Sequence, residues 1–334
     1  MNLASGIYAG VARARRRWYA RHPAACRRLD RPVISIGNIA AGGSGKTPVV
    51  ACVVQMLQDL GERPSILTRG YARRRPSDGV TVVSDGIRMM ADLDRAGDEP
   101  LMLARRLPAV PVLVSADRYL AGRLAERRFE CTVHVLDDGF QHFQLERTVD
   151  LVIVSAEDVA RPVTLPVGRL REPLDAASAA TAVIVPDADD AQSAAIGSAV
   201  KGGTVFRLRR WLDAPRLVEP VGRVVAPAAG TRVLAVAGIA RPERFFAALA
   251  ADGWTVADTL AFADHHAFTR ADLDRIVRTM REARAVMVLT TEKDMVRLLP
   301  LRPLPVPVAW APLQVGVEPT VEFTAWRGQA VLGR

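Results

Sequence analysis

The chain has 334 residues, of which 49% are hydrophobic and 24% are charged, and this composition excludes an intrinsically disordered protein. The length allows two domains with a sizeable buried core. The three cysteines, Cys26, Cys52 and Cys131, are too few and too scattered for a disulfide framework, so a reducing compartment fits.

The first 31 residues carry eight arginines and one acidic residue, which is most of the net charge of +9. Apolar residues recur among them at three- to four-residue steps: Leu3, Ile7, Val11, Ala14 and Trp18. The pattern predicts a basic amphipathic helix able to lie in the headgroup layer of an anionic membrane. A surface helix packed on the body, or an arm that binds nucleic acid, would give the same pattern. No apolar run is long enough to predict a membrane span.

A glycine-rich turn follows a strand predicted over Val33–Ile36 and precedes a helix predicted over Thr47–Leu60. This context is typical of a phosphate-binding loop, or P-loop. Lys46 would reach the nucleotide phosphates, and the Thr47 hydroxyl would ligate Mg²⁺. The residues predicted to bind the nucleotide are Ala40, Ala41, Gly42, Gly43, Ser44, Gly45, Lys46 and Thr47.

The match to the usual GxxxxGK[ST] pattern is imperfect, because Ala40 stands where the first glycine is expected. A lysine at position 46 is informative, however, because the chain has only three lysines against 42 arginines, which suggests that a compact ammonium group is needed there. A glycine-rich turn that only starts a helix is the alternative.

Asp137 and Asp138 come directly after a buried strand predicted over Thr132–Leu136. At the carboxyl end of a parallel strand these carboxylates would face the phosphates, so both are predicted metal ligands. An Asp-Asp-Gly turn without a metal is the alternative.

Short β-branched runs alternate with helical stretches along the chain, which predicts α/β folding with a mostly parallel sheet covered by helices. We expect a nucleotide-binding domain over 32–205, a linker over 206–230 and a smaller α/β domain over 231–334. The predicted strands of the smaller domain begin with Val233–Ala237 and end near Val306–Ala309.

Seven further motifs occur in a fixed order along the chain. They are Thr68-Arg69-Gly70-Tyr71, Gly97-Asp98-Glu99-Pro100, Ser115-Ala116-Asp117-Arg118, Leu136-Asp137-Asp138-Gly139-Phe140-Gln141-His142, Leu170-Arg171-Glu172-Pro173, Phe262-Ala263-Asp264-His265 and Thr290-Thr291-Glu292-Lys293-Asp294. With the P-loop, this ordered set resembles the lipid A 4'-kinase (tetraacyldisaccharide 4'-kinase) family from the N-terminal helix to past residue 294.

The resemblance implies an enzyme that transfers the γ-phosphate of ATP, with Mg²⁺, to the 4'-hydroxyl of a tetraacylated glucosamine disaccharide 1-phosphate during lipid A biosynthesis. It implies a peripheral protein on the cytoplasmic face of the bacterial inner membrane. Its partners would be the glycolipid and the membrane surface, with no nucleic acid and no obligate protein partner. The implied fold is a P-loop three-layer α/β/α domain and a second, smaller α/β domain, with the active site between them.

The resemblance also implies residue roles. Asp98 would be the catalytic base and His265 its partner, with Lys46 as a third catalytic residue. From spacing alone, Asp98 also fits a helix N-cap, and one residue can serve both purposes. Arg118, Arg171 and Glu172 are the predicted substrate-binding residues.

Two other functions fit the residues considered singly. One is a soluble P-loop enzyme with a small substrate, and the other is a nucleotide-switched protein that binds nucleic acid or a partner through the arginine-rich end. Membrane binding by the first 20 residues would distinguish the lipid kinase from the soluble enzyme. Tight, salt-dependent nucleic-acid binding with slow ATP hydrolysis and no phosphorylated lipid would indicate the nucleotide-switched protein.

Overall fold

The computed structural model describes residues 3–42, 45–71, 73–228 and 230–328. Its strands are β1 (Val33–Asn38), β2 (Pro64–Thr68), β3 (Thr81–Asp85), β4 (Pro111–Val114), β5 (Val133–Asp137), β6 (Val149–Ile153), β7 (Ala182–Pro186), β8 (Thr204–Leu212), β9 (Arg216–Leu217), β10 (Arg232–Ala237), β11 (Thr255–Ala261), β12 (Met287–Thr291), β13 (Val308–Ala311) and β14 (Leu313–Glu318). Its α-helices are α1 (Leu3–Arg21), α2 (Lys46–Asp59), α3 (Leu93–Ala96), α4 (Asp98–Arg106), α5 (Arg118–Phe129), α6 (Ala156–Ala160), α7 (Asp190–Val200), α8 (Pro242–Ala251), α9 (Arg270–Glu282), α10 (Glu292–Leu298) and α11 (Thr320–Arg327). Short 3₁₀ helices span Pro23–Ala25, Leu174–Ala179 and Leu299–Leu301.

The chain divides into two compact units. The first runs to Arg210 and is resumed from Val315, and the second comprises Trp211–Gln314. Each unit is an α/β structure with its own sheet, as the alternation of strands and helices predicts.

The sheet of the first unit, as far as the described residues show, has nine strands in the order β14-β8-β7-β6-β1-β5-β2-β4-β3. The pairs from β8 to β4 are parallel, and β3 is antiparallel to β4. All six residues of β1 are buried, as in a strand covered by helices on both faces. The carboxyl ends of β1, β5 and β2 are therefore adjacent, and the polar residues there meet at one edge of the sheet.

Close packing at this edge depends on Gly37 in β1. A Cβ atom built at Gly37 would stand 2.5 Å from the Cβ of Phe140, much closer than two carbon atoms can approach. The missing side chain lets the segment after β5 lie against the end of β1.

The second unit is organised around the sheet β11-β10-β12-β13-β9, with β9 antiparallel to β13 and the other pairs parallel. Its core includes Phe245, Leu249 and Trp254 packed against β10 and β12. The N-terminus of α9 has a capping box, in which Thr269 and Asp272 each bond the other's backbone N–H.

The C-terminal elements differ from the sequence expectation. The sequence groups residues after 231 with the smaller domain and treats 206–230 as a linker, whereas β8 extends to Leu212 and β14 joins β8 in the first sheet. The reason is aromatic packing, because the buried ring of Phe323 on α11 lies 4.8 Å from the ring of Phe206 on β8.

Helix α1 forms where the sequence predicts an amphipathic helix, and its apolar stripe faces away from the protein. Leu3, Ile7, Val11 and Trp18 are all exposed. The opposite face is docked, since the hydroxyls of Ser5 and Thr164 each donate to the other residue's carbonyl oxygen at 2.8 Å. Among the described residues, no helix is long and apolar enough to cross a membrane.

Candidate active site

The predicted phosphate loop leads directly into α2. Gly45 is the N-cap and has φ 77° and ψ 26°, a left-handed conformation that favours glycine. Lys46 is the first residue of the helix, and Thr47 is buried in its first turn. The positive end of the helix dipole and its first N–H groups therefore point toward the site where a phosphate is predicted to bind.

The start of the loop is held by the segment before Glu172. The N–H of Ala41 donates to the carbonyl of Arg169 at 2.7 Å, and the N–H of Arg171 donates to the carbonyl of Ile39 at 2.6 Å. Ala40 is buried between these contacts. The N–H of Ala41 is thus already bonded within the protein.

Two of the predicted loop residues lie outside the described residues, namely Gly43 and Ser44. Gly42 is described and has φ 95°, a value that suits glycine.

Lys46 is held by two oxygen atoms at the edge of the first sheet. Its Nζ donates to Oδ1 of Asn38 at 3.0 Å and lies 2.9 Å from Oδ1 of Asp138. A single guanidinium nitrogen of Arg171, Nη1, donates to both carboxylate oxygens of Asp138, at 3.0 Å to Oδ1 and 2.7 Å to Oδ2. Burial opposes ionisation of Asp138, but Lys46 and Arg171 outweigh it and lower the pKa of this carboxyl to about 2. The result is one carboxylate held between two cations.

Asp137 has the opposite electrostatic character. Its Oδ2 accepts a hydrogen bond of 3.1 Å from Thr68, and it is 3% exposed. Burial, together with the nearby charges of Glu99 and Asp138, raises the pKa of Asp137 to about 7. The cations near Asp137 therefore do not offset its burial and the neighbouring negative charges.

Arg118 is brought to the same place by the first turn of α5. It is 6% exposed, its Nη1 donates to the carbonyl of Ala116 at 3.1 Å, and it interacts electrostatically with Asp137 and Asp138. Burial, reinforced by Arg69, lowers its pKa to about 10, so the guanidinium remains charged at neutral pH.

Several buried polar atoms at this edge make no hydrogen bond within the described part of the chain. They include Nδ2 of Asn38, Oε1 of Gln141 and Nε of Arg118. Buried donors and acceptors are nearly always paired in native proteins, so these atoms fit a polar ligand such as a nucleotide.

Asp98, the predicted base, is the first residue of α4 and is 6% exposed. Gly97 is the N-cap, and Oδ1 of Asp98 accepts a bond of 2.8 Å from the N–H of Glu99. The carboxylate therefore stabilises the start of α4 from inside the first turn. Its catalytic role stays a prediction.

Glu172 does not join the cluster around Lys46. It is buried and forms a two-bond ion pair with Arg16 of α1, with N–O distances of 2.7 and 2.9 Å. Its predicted contact with substrate remains a prediction, and in this structure its carboxylate is bonded to α1.

His265, the other predicted catalytic residue, lies in the second unit beside Asp264 and Lys293. Its backbone N–H donates to Oδ1 of Asp264 at 3.0 Å, and its Nε2 is 3.2 Å from Nζ of Lys293. A charged lysine can only donate, so this contact fits the tautomer with the proton on Nδ1. His265 also has φ 58°, which is uncommon for a residue with a side chain.

The sequence prediction missed Asn38 as the partner of Lys46 and Thr68 as the partner of Asp137. Both are polar residues at the end of a buried parallel strand, the position that first indicated Asp137. Applying that signal to every strand end would have found them.

Comparisons with known proteins give a consistent result. A sequence model of the family described as tetraacyldisaccharide-1-P 4'-kinase matches residues 1–328. The tetraacyldisaccharide 4'-kinase of Syntrophus aciditrophicus is 36% identical, with 89% of this chain and 83% of that protein covered. The enzyme of the same name from Koribacter versatilis is 38% identical, with 89% and 88% covered. A crystal structure of LpxK from Aquifex aeolicus in complex with ATP is 28% identical, with a TM-score of 0.79 and 98% and 97% coverage.

Proposed function

Because this chain belongs to the tetraacyldisaccharide-1-P 4'-kinase family, we propose that it phosphorylates the 4'-hydroxyl of a tetraacylated glucosamine disaccharide 1-phosphate with ATP. The reaction is the 4'-kinase step of lipid A biosynthesis. The bond between the γ-phosphorus and the β,γ-bridging oxygen breaks, a bond forms to the 4'-oxygen, and the hydroxyl proton leaves. ADP and the 1,4'-bisphosphorylated lipid are the products.

The observation that best supports phosphoryl transfer is the cationic cluster beside the start of α2. Lys46, Arg171 and Arg118 surround Asp138 and Asp137. Phosphoryl transfer depends mainly on positioning and on stabilising negative charge at the phosphate oxygens. A lysine and two arginines beside a helix N-terminus supply that stabilisation.

The same carboxylates fit a magnesium ion. Burial, reinforced by the charges of Glu99 and Asp138, raises the pKa of Asp137 to about 7, so a bound cation would favour its ionised form. In the described residues, no group of three or more His, Cys, Asp or Glu could hold a metal ion alone. Mg²⁺ commonly needs only one or two carboxylates together with water and substrate phosphates. We therefore assign it to Asp137, Asp138 and Thr47, where it would neutralise charge on the phosphate oxygens.

Asp98 and His265 are the proposed acid–base residues. A buried carboxylate can take the proton of the sugar hydroxyl as the new bond forms. The His265 tautomer with Nδ1–H has a lone pair on Nε2, the nitrogen nearest Lys293. His265 is the residue proposed to orient Asp98 and tune its basicity.

The outward face of α1 is suited to contact the membrane that would hold the glycolipid acceptor. Leu3, Ile7 and Trp18 are exposed there, together with Arg17 and Arg21. An apolar stripe beside arginines favours the headgroup layer of an anionic membrane. We propose that α1 places the enzyme on the cytoplasmic face of the bacterial inner membrane, where a lipid-linked hydroxyl is within reach.

The reaction is tested directly with γ-labelled ATP and the tetraacylated disaccharide 1-phosphate in mixed micelles. We expect label at the 4' position, and Lys46→Ala should reduce the rate by about 10²–10³-fold through loss of charge stabilisation. Lys201→Asn, a change at the exposed lysine directly after α7, should act like the parent protein.

Two outcomes would reject the proposal. Label that appears only in inorganic phosphate would indicate an ATPase without this acceptor. Equal rates for Lys46→Ala and the parent protein would remove the P-loop from the reaction.

A further inference from the structure

The inward face of α1 contacts the two segments that carry the phosphate-site residues. Phe140 and Phe143 follow Asp138 in one segment, and Glu172 follows Arg171 in the other. Arg16 contacts both segments at once, since it pairs with Glu172 and its guanidinium lies 4.3 Å from the ring centre of Phe140 and 4.8 Å from that of Phe143.

The Arg16–Glu172 pair is built differently from an ordinary surface ion pair. The side chain of Glu172 is 4% exposed and that of Arg16 is 19% exposed, and two separate guanidinium nitrogens donate to the two carboxylate oxygens. A planar guanidinium suits this bidentate geometry and the stacking on aromatic rings, and a lysine cannot reproduce both. Three residues earlier, Arg13 pairs with Asp175, but those side chains are 45% and 62% exposed. Exposed pairs of that kind contribute little.

The residues that Arg16 contacts are close in sequence to the phosphate site: Glu172 is next to Arg171, and Phe140 is two residues after Asp138. Arg171, next to Glu172, donates to Asp138 through Nη1 and to Ile39 through its backbone N–H. Asp138, two residues before Phe140, holds Lys46. A shift of α1 would therefore displace both partners of the Arg171–Asp138 pair.

We propose that Arg16 is a positioning residue through which the docking of α1 keeps Arg171 and Asp138 aligned beside Lys46. The outward face of α1 meets the membrane and its inward face holds the phosphate site, so the rate of transfer depends on how α1 is seated. This inference rests on the proposed 4'-kinase reaction.

The test compares Arg16→Met with Arg13→Met in mixed micelles, where each variant loses one positive charge from the same helix and one ion pair to the same segment. We expect kcat to fall on the order of 10- to 100-fold in Arg16→Met, the scale expected when a catalytic group is displaced by about 1 Å. The KM for the lipid should change little, and Arg13→Met should change kcat by less than about twofold. Hydrogen exchange of the amides of residues 169–172 should accelerate in Arg16→Met only.

A second variant separates positioning from stability. Arg16→Met leaves Glu172 buried without its cation, which lowers stability by itself. In the double variant Arg16→Met with Glu172→Gln this charge is gone, so the melting temperature should recover while kcat remains low. Arg16→Lys should restore part of kcat.

The inference is overturned if kcat of the double variant returns with its melting temperature, or if Arg16→Met and Arg13→Met have equal kcat. A parent protein that does not label the lipid would instead reject the proposed reaction, so the two failures are distinguishable.

Discussion

At the scale of single residues, the candidate site pairs two adjacent carboxyl groups with opposite properties. Asp138 is ionised between Lys46 and Arg171, with its pKa lowered to about 2, whereas burial raises the pKa of Asp137 to about 7. Asp138 also has φ 56°, a left-handed conformation that directs consecutive side chains to different surroundings. Asp138 thus holds the two cations in place, and Asp137 is the buried carboxyl proposed to bind a metal ion.

A residue-scale prediction concerns Asp98 and His265. Asp98→Asn and His265→Gln should each lower kcat by about 10²–10⁴-fold, because each removes one group from the same proton transfer. The double variant should lose little more than either single variant, since residues that act as a unit are not additive. ATP affinity, measured by calorimetry, should be retained in all three.

The neighbouring histidine provides the control. His266 pairs with Asp272 at 3.0 Å and stacks on Phe262, so His266→Gln should affect stability more than kcat. If His266→Gln reduces kcat as much as His265→Gln, or if the losses from Asp98 and His265 multiply, the proposed pair is wrong.

The sequence predicted the local elements on which the nearby candidate residues lie. Gly45, Lys46 and Thr47 stand at the start of α2 and Asp137 at the end of β5, as local pattern indicates, while their binding roles stay a prediction. The sequence did not reveal that Glu172 pairs with Arg16, because those residues are 156 positions apart. Nothing in the sequence distinguishes Arg16 from the other arginines, 42 in all, as the one that pairs with Glu172.

At the scale of elements, α1 has two working faces with different chemistry. Its outward stripe is the apolar stripe visible in the sequence, and its inward face is the polar one, with Ser5 bonded to Thr164 and Arg16 to Glu172. This arrangement reverses the usual one, in which the apolar face of a surface helix packs on the core. The exposed stripe is therefore available to a membrane.

An element-scale prediction follows for Ile7, which is 61% exposed. Ile7→Asp places a charge in the stripe and should weaken binding to anionic vesicles by at least about tenfold, since it loses apolar burial and adds repulsion. Co-sedimentation with vesicles containing anionic lipid measures the effect. The turnover of a micellar substrate should fall much less.

Val321→Asp is the matched control, because Val321 is 79% exposed on α11, another helix. It should bind vesicles like the parent protein. Equal binding by Ile7→Asp and the parent protein would contradict a role for α1 at the membrane.

At the scale of the whole molecule, the stability of the first unit should depend on pH through His134. This residue on β5 is fully buried and lies 2.7 Å from Oγ of Ser65 and 3.4 Å from Oε1 of Glu126. Burial lowers its pKa, and repulsion from Arg31 adds to this, while attraction to Glu126 opposes it without reversing the direction. The folded protein therefore keeps His134 neutral at pH values where the unfolded chain protonates it.

The sign follows from linkage. Since the unfolded state binds the extra proton, the free energy of unfolding should fall as the pH drops below about 6.5, by up to about 1.4 kcal/mol per pH unit. Urea midpoints at about pH 8 and about pH 5.5 should differ more in the parent protein than in His134→Gln. An identical pH dependence in the two proteins would exclude His134 as its source.

The second unit is inserted in the sequence of the first, and this order determines which unit can be completed first during synthesis. The strand β14, which borders β8, is completed only after the whole of Trp211–Gln314 has been made. The N–H of Asp213 donates to the carbonyl of Pro312 at 2.8 Å, so the inserted unit begins and ends at one point. A nascent chain still on the ribosome would therefore carry a finished second unit beside a first unit with an open edge at β8. Removing the C-terminal 20 residues would leave the edge of β8 unpaired permanently. Removing the inserted unit, Trp211–Gln314, and joining Arg210 to Val315 would keep the later residues of β14 available to pair with β8.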